Sequence, residues 1–265
     1  FGESTWKLAG VFTGTYSGGS VNFVSVGREV ALPETLFAGA TAADALTTGI
    51  WLAVCLMLPI WLGRFYKAPI PGEGEADKAE EHTHPFFDKI PLSTLDLANL
   101  LAVGLGLVVL SDWLGRLIPS VPGVVWLTSL ALGVGHLKFF RSERGALQLG
   151  NLALHFFFVL IGIHSRISEI LAVGVEVFYF TLVVVGVHGL VVFGFGRLLR
   201  MDVGSLAVAS QAAVGGPSSA LAVAVSREWR GLVLPGIIVG LLGYALGTYL
   251  GLSVAVLLRG MGVGF

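Results

Sequence analysis

Of 265 residues, 55% are hydrophobic and only 12% charged, at a mean hydropathy of +0.85. A soluble domain carries roughly one quarter charged residues, so that class is excluded as the reading of the whole chain. Sixteen Lys and Arg against 17 Asp and Glu leave a net charge of −1, which excludes nucleic acid as a partner, because phosphate binding needs clustered cations. The single cysteine, Cys55, lies inside an apolar run and excludes both a disulfide framework and a cysteine-based metal site.

Eight apolar elements are predicted in chain order, at 8–27, 36–62, 92–118, 121–140, 145–165, 170–196, 203–226 and 231–258. About 20 helical residues span a hydrocarbon core of roughly 30 Å, and most of these runs reach that length. The alternating polarity of a β-barrel is absent, so the expectation is an all-α, polytopic helical bundle in the lipid bilayer. The inner, plasma membrane is the expected location. No charged n-region with a cleavage site opens the chain, which begins at Phe1 and runs at once into a Gly-rich segment. Further N-terminal helices are therefore expected to precede it.

The stretch Arg64–Lys89 differs from the rest, holding Glu73, Glu75, Asp77, Glu80 and Glu81 with Pro69, Pro71 and Pro85. It reads as a solvated cytoplasmic linker, which divides the chain into 1–62, a linker at 63–91, and 92–265. His82-Thr83-His84 within it is a weak metal candidate.

Two membrane-depth segments make poor lipid-facing helices. They are Thr13-Gly14-Thr15-Tyr16-Ser17-Gly18-Gly19-Ser20-Val21-Asn22 and Ser210-Gln211-Ala212-Ala213-Val214-Gly215-Gly216-Pro217-Ser218-Ser219. Paired glycines weaken a helix and Pro217 removes a donor, so broken or re-entrant helices are expected at both places. Each segment continues to Arg-Glu, at Arg28-Glu29 and at Arg227-Glu228, and then to a long apolar helix. Matched interruptions of this kind point to a transporter binding site, where backbone carbonyls receive a cation and helix N-termini an anion. Close helix packing through small residues is the competing explanation.

Asp44, in Ala42-Ala43-Asp44-Ala45, is an acid at membrane depth and the leading candidate to hold Na⁺ or a proton. Placement near the interface, with simple solvation, is its bland alternative. Asp96, beside Ser93 and Thr94, reads as a helix start. Glu176 and His188 are twelve residues apart and do not pair along one helix. His155, with Asn151 one turn before it, His164 and His188 read as hydrogen-bonded packing residues. A membrane enzyme using His155 with Asn151, or Glu176, lacks any recognisable catalytic motif, so no enzyme and no cofactor are expected.

The segments Gly18-Gly19-Ser20-Val21-Asn22 and Val214-Gly215-Gly216-Pro217, with Leu234-Pro235-Gly236, Gly240-Leu241-Leu242-Gly243-Tyr244 and Gly247-Thr248, resemble the membrane family known as domain of unknown function 819. That family is similar to the superfamily of cation/proton antiporters and bile-acid sodium symporters. The resemblance implies inverted repeats, crossing broken helices and Na⁺ or H⁺ coupling. It also implies that the N-terminal part of the first repeat is missing. Asp44 matches the acid that follows the first broken helix in the antiporters. The second acid those often carry is replaced here by Ala43, which puts a two-carboxylate mechanism in doubt.

If all eight elements cross, Lys and Arg divide eleven to five between the two sides, but both Gly-Gly segments then point the same way. If both are re-entrant hairpins, the division is unchanged and they point oppositely. The expected function is secondary transport of an unidentified small solute, with an organic anion as the guess. Ser20, Asn22, Asp44, Gln211, Ser218 and Ser219 are the expected ligands, and Gly18, Gly19, Gly215, Gly216 and Pro217 shape the backbone. A homodimer is a candidate assembly. A non-transporting scaffold is the alternative, and it predicts dry, packed Gly-Gly regions.

Overall fold

The structure, a computed structural model, describes residues 2–66, 68–71, 91–119, 121–137, 145–146, 148–150, 152–153, 156, 159 and 167–263, with the side chains of 167–173 excepted. The described helices are α1 (Thr5–Thr15), α2 (Ser20–Glu29), α3 (Glu34–Leu62), α4 (Thr94–Leu117), α5 (Gly123–His136), α6 (Ile167–Leu198), α7 (Val203–Ser226) and α8 (Arg230–Gly260). No strand occurs among the described residues. The predicted element at 145–165, with Asn151, His155 and His164, lies largely outside them, as does the acidic stretch 72–90 with His82 and His84.

Five of these helices (α3, α4, α6, α7 and α8) are long and apolar enough to cross a membrane. Their outer faces carry large apolar side chains such as Leu95, Val109, Leu190 and Leu198, all exposed. Water would penalise such faces, whereas hydrocarbon accommodates them. The fold is all-α and polytopic.

The chain forms two compact units, Phe1–Lys78 with His164–Phe265, and Ala79–Ile163. The second unit contains α4 and α5. Ser93 begins α4 with a capping box in which its hydroxyl accepts from the Asp96 N–H at 3.1 Å, while the Asp96 carboxylate accepts from the Ser93 N–H at 2.9 Å. This is the helix start expected from Ser93 and Asp96.

In the first unit, α1 and α2 do not continue one another. Lys7 donates to the Ala31 carbonyl at 2.8 Å, the Phe12 and Phe23 rings meet at 5.9 Å, and Gly14 lies against Asn22 and Val26. The segment is thus a hairpin of two short helices turning at residues 16–19. The apolar run 8–27, predicted as one element, divides there. α7 also turns back, at Gly216, where φ is 79° and ψ −171°. Ser219 Oγ donates to the Gln211 carbonyl at 3.2 Å, and Gly236 faces Val208 and Ala220 together. Residues eight or twelve apart in a straight helix would lie roughly 12 or 18 Å apart, so the two limbs run side by side. The returning limbs, Ser20–Glu29 and 217–226, fall well short of the roughly 20 residues needed to span a bilayer, so both hairpins are re-entrant despite the length and apolarity of α7.

α8 organises both hairpins. Its small-residue face reads Gly236, Gly240, Gly243, Gly247, Gly251 and Ala255, all buried. Gly236 and Gly240 contact the second hairpin at Val208 and Pro217, whereas Gly243, Gly247 and Gly251 contact the first at Gly18, Gly14 and Gly10. The hairpins therefore enter from opposite ends of α8 and meet near its middle. Lipid supplies no hydrophobic drive between helices, so close backbone approach through small residues is what holds such an assembly.

The ends of this unit carry different charges. Arg64, Arg197, Arg200, Arg227 and Arg230 lie at the end where α3 and α6 finish, and Lys7, Arg28 and Arg259 at the other.

Candidate functional site

The two Gly-Gly pairs divide their work in the same way. The second glycine of each pair turns the chain: Gly19 has φ 111° and ψ 176°, and Gly216 has φ 79° and ψ −171°. This region of backbone space is open essentially only to glycine. The first glycine permits contact: a methyl at Gly18 would fall on the Gly243 backbone, and one at Gly215 on Ser219 Oγ. The tips touch each other. A methyl built on Gly19 would lie 3.2 Å from Gly216 Cα, and one on Gly216 would lie 2.9 Å from the Gly18 carbonyl oxygen. Tyr244 packs against both tips. α2 and the second limb of α7 begin at the tips, while α1 and the first limb end there. Helix N-terminal amides and C-terminal carbonyls therefore converge.

Asp44 is 4% exposed, on the eleventh residue of α3. Burial removes the reading in which it is merely solvated at an interface. Ser20 Oγ, at the start of α2, donates to Asp44 Oδ2 at 3.0 Å, and Thr48 Oγ1 approaches Oδ1 at 3.5 Å. The Tyr16 hydroxyl is buried without a hydrogen-bond partner and lies within electrostatic reach of Asp44 and Thr181. One carboxylate and three hydroxyls form the oxygen-rich set that suits a hard cation.

A polar seam extends from Asp44 along α3. Thr47 and Thr181 of α6 share a hydrogen bond of 2.7 Å. One turn on, Trp51 Nε1 donates to Ser210 Oγ at 3.0 Å, and His188 Nε2 lies 2.9 Å from the same oxygen. His188 is the hydrogen-bonded packing residue that was expected. Positions 44, 47, 48, 51 and 55 share one face of α3 by helical period.

The predicted ligands fall into three groups. Ser20 and Asp44 are brought together. Asn22 is instead consumed in packing: its Nδ2 donates to the Gly243 carbonyl at 3.2 Å, and its Oδ1 accepts from Thr248 Oγ1 at 2.8 Å. Gln211 is 0% exposed, and neither its Oε1 nor its Nε2 has a hydrogen-bond partner. Its amide nitrogen lies 2.9 Å from where a Gly215 methyl would stand, so it reaches the second hairpin's turn. Ser219 Oγ donates to the carbonyls of Gln211 and Gly216, and the half-buried Ser218 makes no side-chain hydrogen bond among the described residues. Glu176 is exposed on α6.

Thr47, Thr48 and Thr181 were not singled out in the sequence, and Tyr16 and the α8 glycines stood there only within quoted segments, with no contact assigned to them. Only the glycines had a signal, the spacing of four at Gly10, Gly14, Gly18 and at Gly243, Gly247, Gly251. No group of three or more His, Cys, Asp or Glu that could hold a metal ion occurs among the described residues.

The family model described as protein of unknown function (DUF819) matches residues 1–261. Among curated proteins, the chain is 26% identical over 261 residues to the uncharacterized membrane protein YjcL of Bacillus subtilis (strain 168), covering 92% of this chain. The chain spans 66% of the length of that relative. No solved structure matches the chain. With a family match across nearly its whole length, the chain belongs to the DUF819 family of integral membrane proteins.

Proposed function

We propose that the protein is a secondary transporter that couples Na⁺ or H⁺ to the movement of a small solute by alternating access. The observation that carries this reading is the buried Asp44, hydrogen-bonded to Ser20 beside the meeting tips of two oppositely directed re-entrant hairpins. A carboxylate at membrane depth is costly and is kept there when it serves an ion or a proton. In this reading Asp44, Ser20, Thr48 and Tyr16 receive the cation, while Gln211, Ser218 and Ser219 face the solute. Two helix N-termini at the tips favour an organic anion. The two hairpin-plus-long-helix segments are proposed as halves of an inverted repeat.

The scaffold reading is supported by one specific observation, the tight closure of the tips over backbone glycines. The two readings separate in one experiment. Thermal stability of the purified protein is measured in NaCl against matched KCl and choline chloride, across pH, with Asp44→Asn beside the parent. A ligand bound by the folded state alone stabilises it by about 2.7 kcal/mol at a hundredfold excess over its dissociation constant. Protection by Na⁺, lost in Asp44→Asn, is the expected result. Equal stability in all three salts at every pH removes the Na⁺ reading. Absence of Asp44-dependent proton flux in proteoliposomes then leaves the scaffold.

A further inference from the structure

A second site, independent of the hairpins, lies where α3 and α6 finish. α3 runs into a 3-10 turn at Gly63–Phe65, and the next residue, Tyr66, donates its hydroxyl to the Phe193 carbonyl at 2.6 Å. This bond ties the two helix ends together and opens a cavity of about 470 Å³ lined by Phe65, Tyr66, Ala68, Arg197, Arg200 and Met201. The Arg64 and Arg197 guanidinium groups both lie over the Phe65 ring, at 4.7 and 5.3 Å from its centroid. Burial pushes the Tyr66 phenol up, and the Arg197 charge pulls against that shift, which places Arg197 at the cavity wall. Arg200 holds a left-handed backbone, φ 60°, where the chain turns from α6 into α7.

Two cations, Arg197 and Arg200, thus line this cavity and a third, Arg64, stacks on its Phe65 wall, and none has a carboxylate partner among the described residues. The nearest acid in sequence, Asp202, is engaged in capping α7, accepting from the Ser205 N–H at 2.7 Å. Favourable interaction with the C-terminal end of α6 explains one cation there, as does stacking on an aromatic ring. Neither explains two guanidinium groups on one ring and a third beside them. Guanidinium groups match phosphate oxygens in charge and geometry.

The apolar surroundings say where the phosphate comes from. A shallow, open apolar depression of about 310 Å³ on the outer face of α6 is lined by Val187, Leu190, Val191, Gly194, Phe195 and Leu198. It follows one helical face towards the cavity, and Leu198 directly succeeds Arg197. Because α3 and α6 are membrane-crossing helices, their common end lies at headgroup level and the depression lies in the hydrocarbon. We propose that this cavity binds the phosphate of an anionic glycerophospholipid, with an acyl chain along the α6 depression. The excess of arginine at this end of the unit makes it the cytoplasmic end by the positive-inside rule, where anionic lipid attracts basic pockets.

The test uses the protein in nanodiscs of phosphatidylcholine with and without a minor fraction of phosphatidylglycerol, with retained lipid identified by native mass spectrometry. Selective retention of phosphatidylglycerol is expected. It should fall about twentyfold in the double variant Arg197→Gln with Arg200→Gln, and persist in the double Lys variant, which keeps the charge. A photoreactive phosphatidylglycerol added to the parent protein should label the Val187–Leu198 face, a readout that does not depend on a variant folding. Equal retention of the two lipids by the parent, an unchanged preference in the double Gln variant, or labelling only on other helices would overturn the proposal. Inorganic phosphate raising thermal stability in pure phosphatidylcholine discs as much as phosphatidylglycerol does would overturn the lipid source in favour of a free anion.

Discussion

The two re-entrant hairpins share a plan and differ in how their amide side chains are used. In the first, Asn22 bonds through both ends of its amide, to the Gly243 carbonyl and to Thr248 of α8. In the second, Gln211 is equally buried and bonds through neither. A buried polar group without a partner costs roughly 1–3 kcal/mol, so the second hairpin tolerates a cost that the first avoids. Their glycines differ likewise. Gly18 abuts backbone, which cannot move aside, whereas Gly215 abuts the side chains of Ser219 and Gln211, which can. Both hairpins abut α8, the second through the Pro217 backbone at Gly240, but the Gly18 contact is rigid and the Gly215 contact adaptable.

The largest expected effect comes from the glycines. Gly18→Ala forces a methyl into the Gly243 backbone and should cost about 3 kcal/mol or more, read as loss of monodisperse protein on size exclusion. Gly215→Ala should cost about half as much, since Ser219 can rotate. Equal effects of the two substitutions would erase the distinction between a rigid and an adaptable glycine contact.

The amides give the sharper contrast, because the expected signs are opposite. Asn22→Ala should lower stability by about 2–3 kcal/mol, through two lost hydrogen bonds and a cavity. Gln211→Met should leave stability unchanged or raise it by about 1 kcal/mol, while abolishing any ion- or solute-dependent stabilisation. Thermal unfolding with and without NaCl reads both. A Gln211→Met protein as destabilised as Asn22→Ala would show that Gln211 is structural.

A smaller effect is expected at Ser210, which receives the Trp51 indole N–H and lies beside the His188 ring. Ser210→Ala should cost about 1–2 kcal/mol and alter Trp51 fluorescence. No change in either would mean that this end of the polar seam on α3 contributes nothing to holding α6 and α7.

Much of the fold was legible in the residues. The helix start at Ser93 and Asp96 follows from capping chemistry that needs only neighbours in sequence. Both breaks were legible because Gly-Gly, with Pro217 at the second, disrupts a helix in any context. Asp44 stood out because an acid inside an apolar run has few explanations. Ser20 was expected in the same ligand set, but its direct bond to Asp44 across 24 residues was not legible, and Tyr16, Thr47 and Thr181 are ordinary residues until they face one another. Asn22 and Gln211, both expected as ligands, lie on opposite sides of their Gly-Gly pairs, and α8 offers Thr248 to one and nothing to the other.

Local chemistry thus determined that the chain is helical and lives in lipid, where the α4 start and the two Gly-Gly breaks fall, and which acid is out of place. Those properties depend on side-chain polarity and backbone freedom within a few residues. Only the tertiary structure decided that α7, apolar and long enough to cross, folds back instead. Hydropathy measures what a segment can face, whereas its path depends on the glycine face of α8 admitting two hairpin tips from opposite ends.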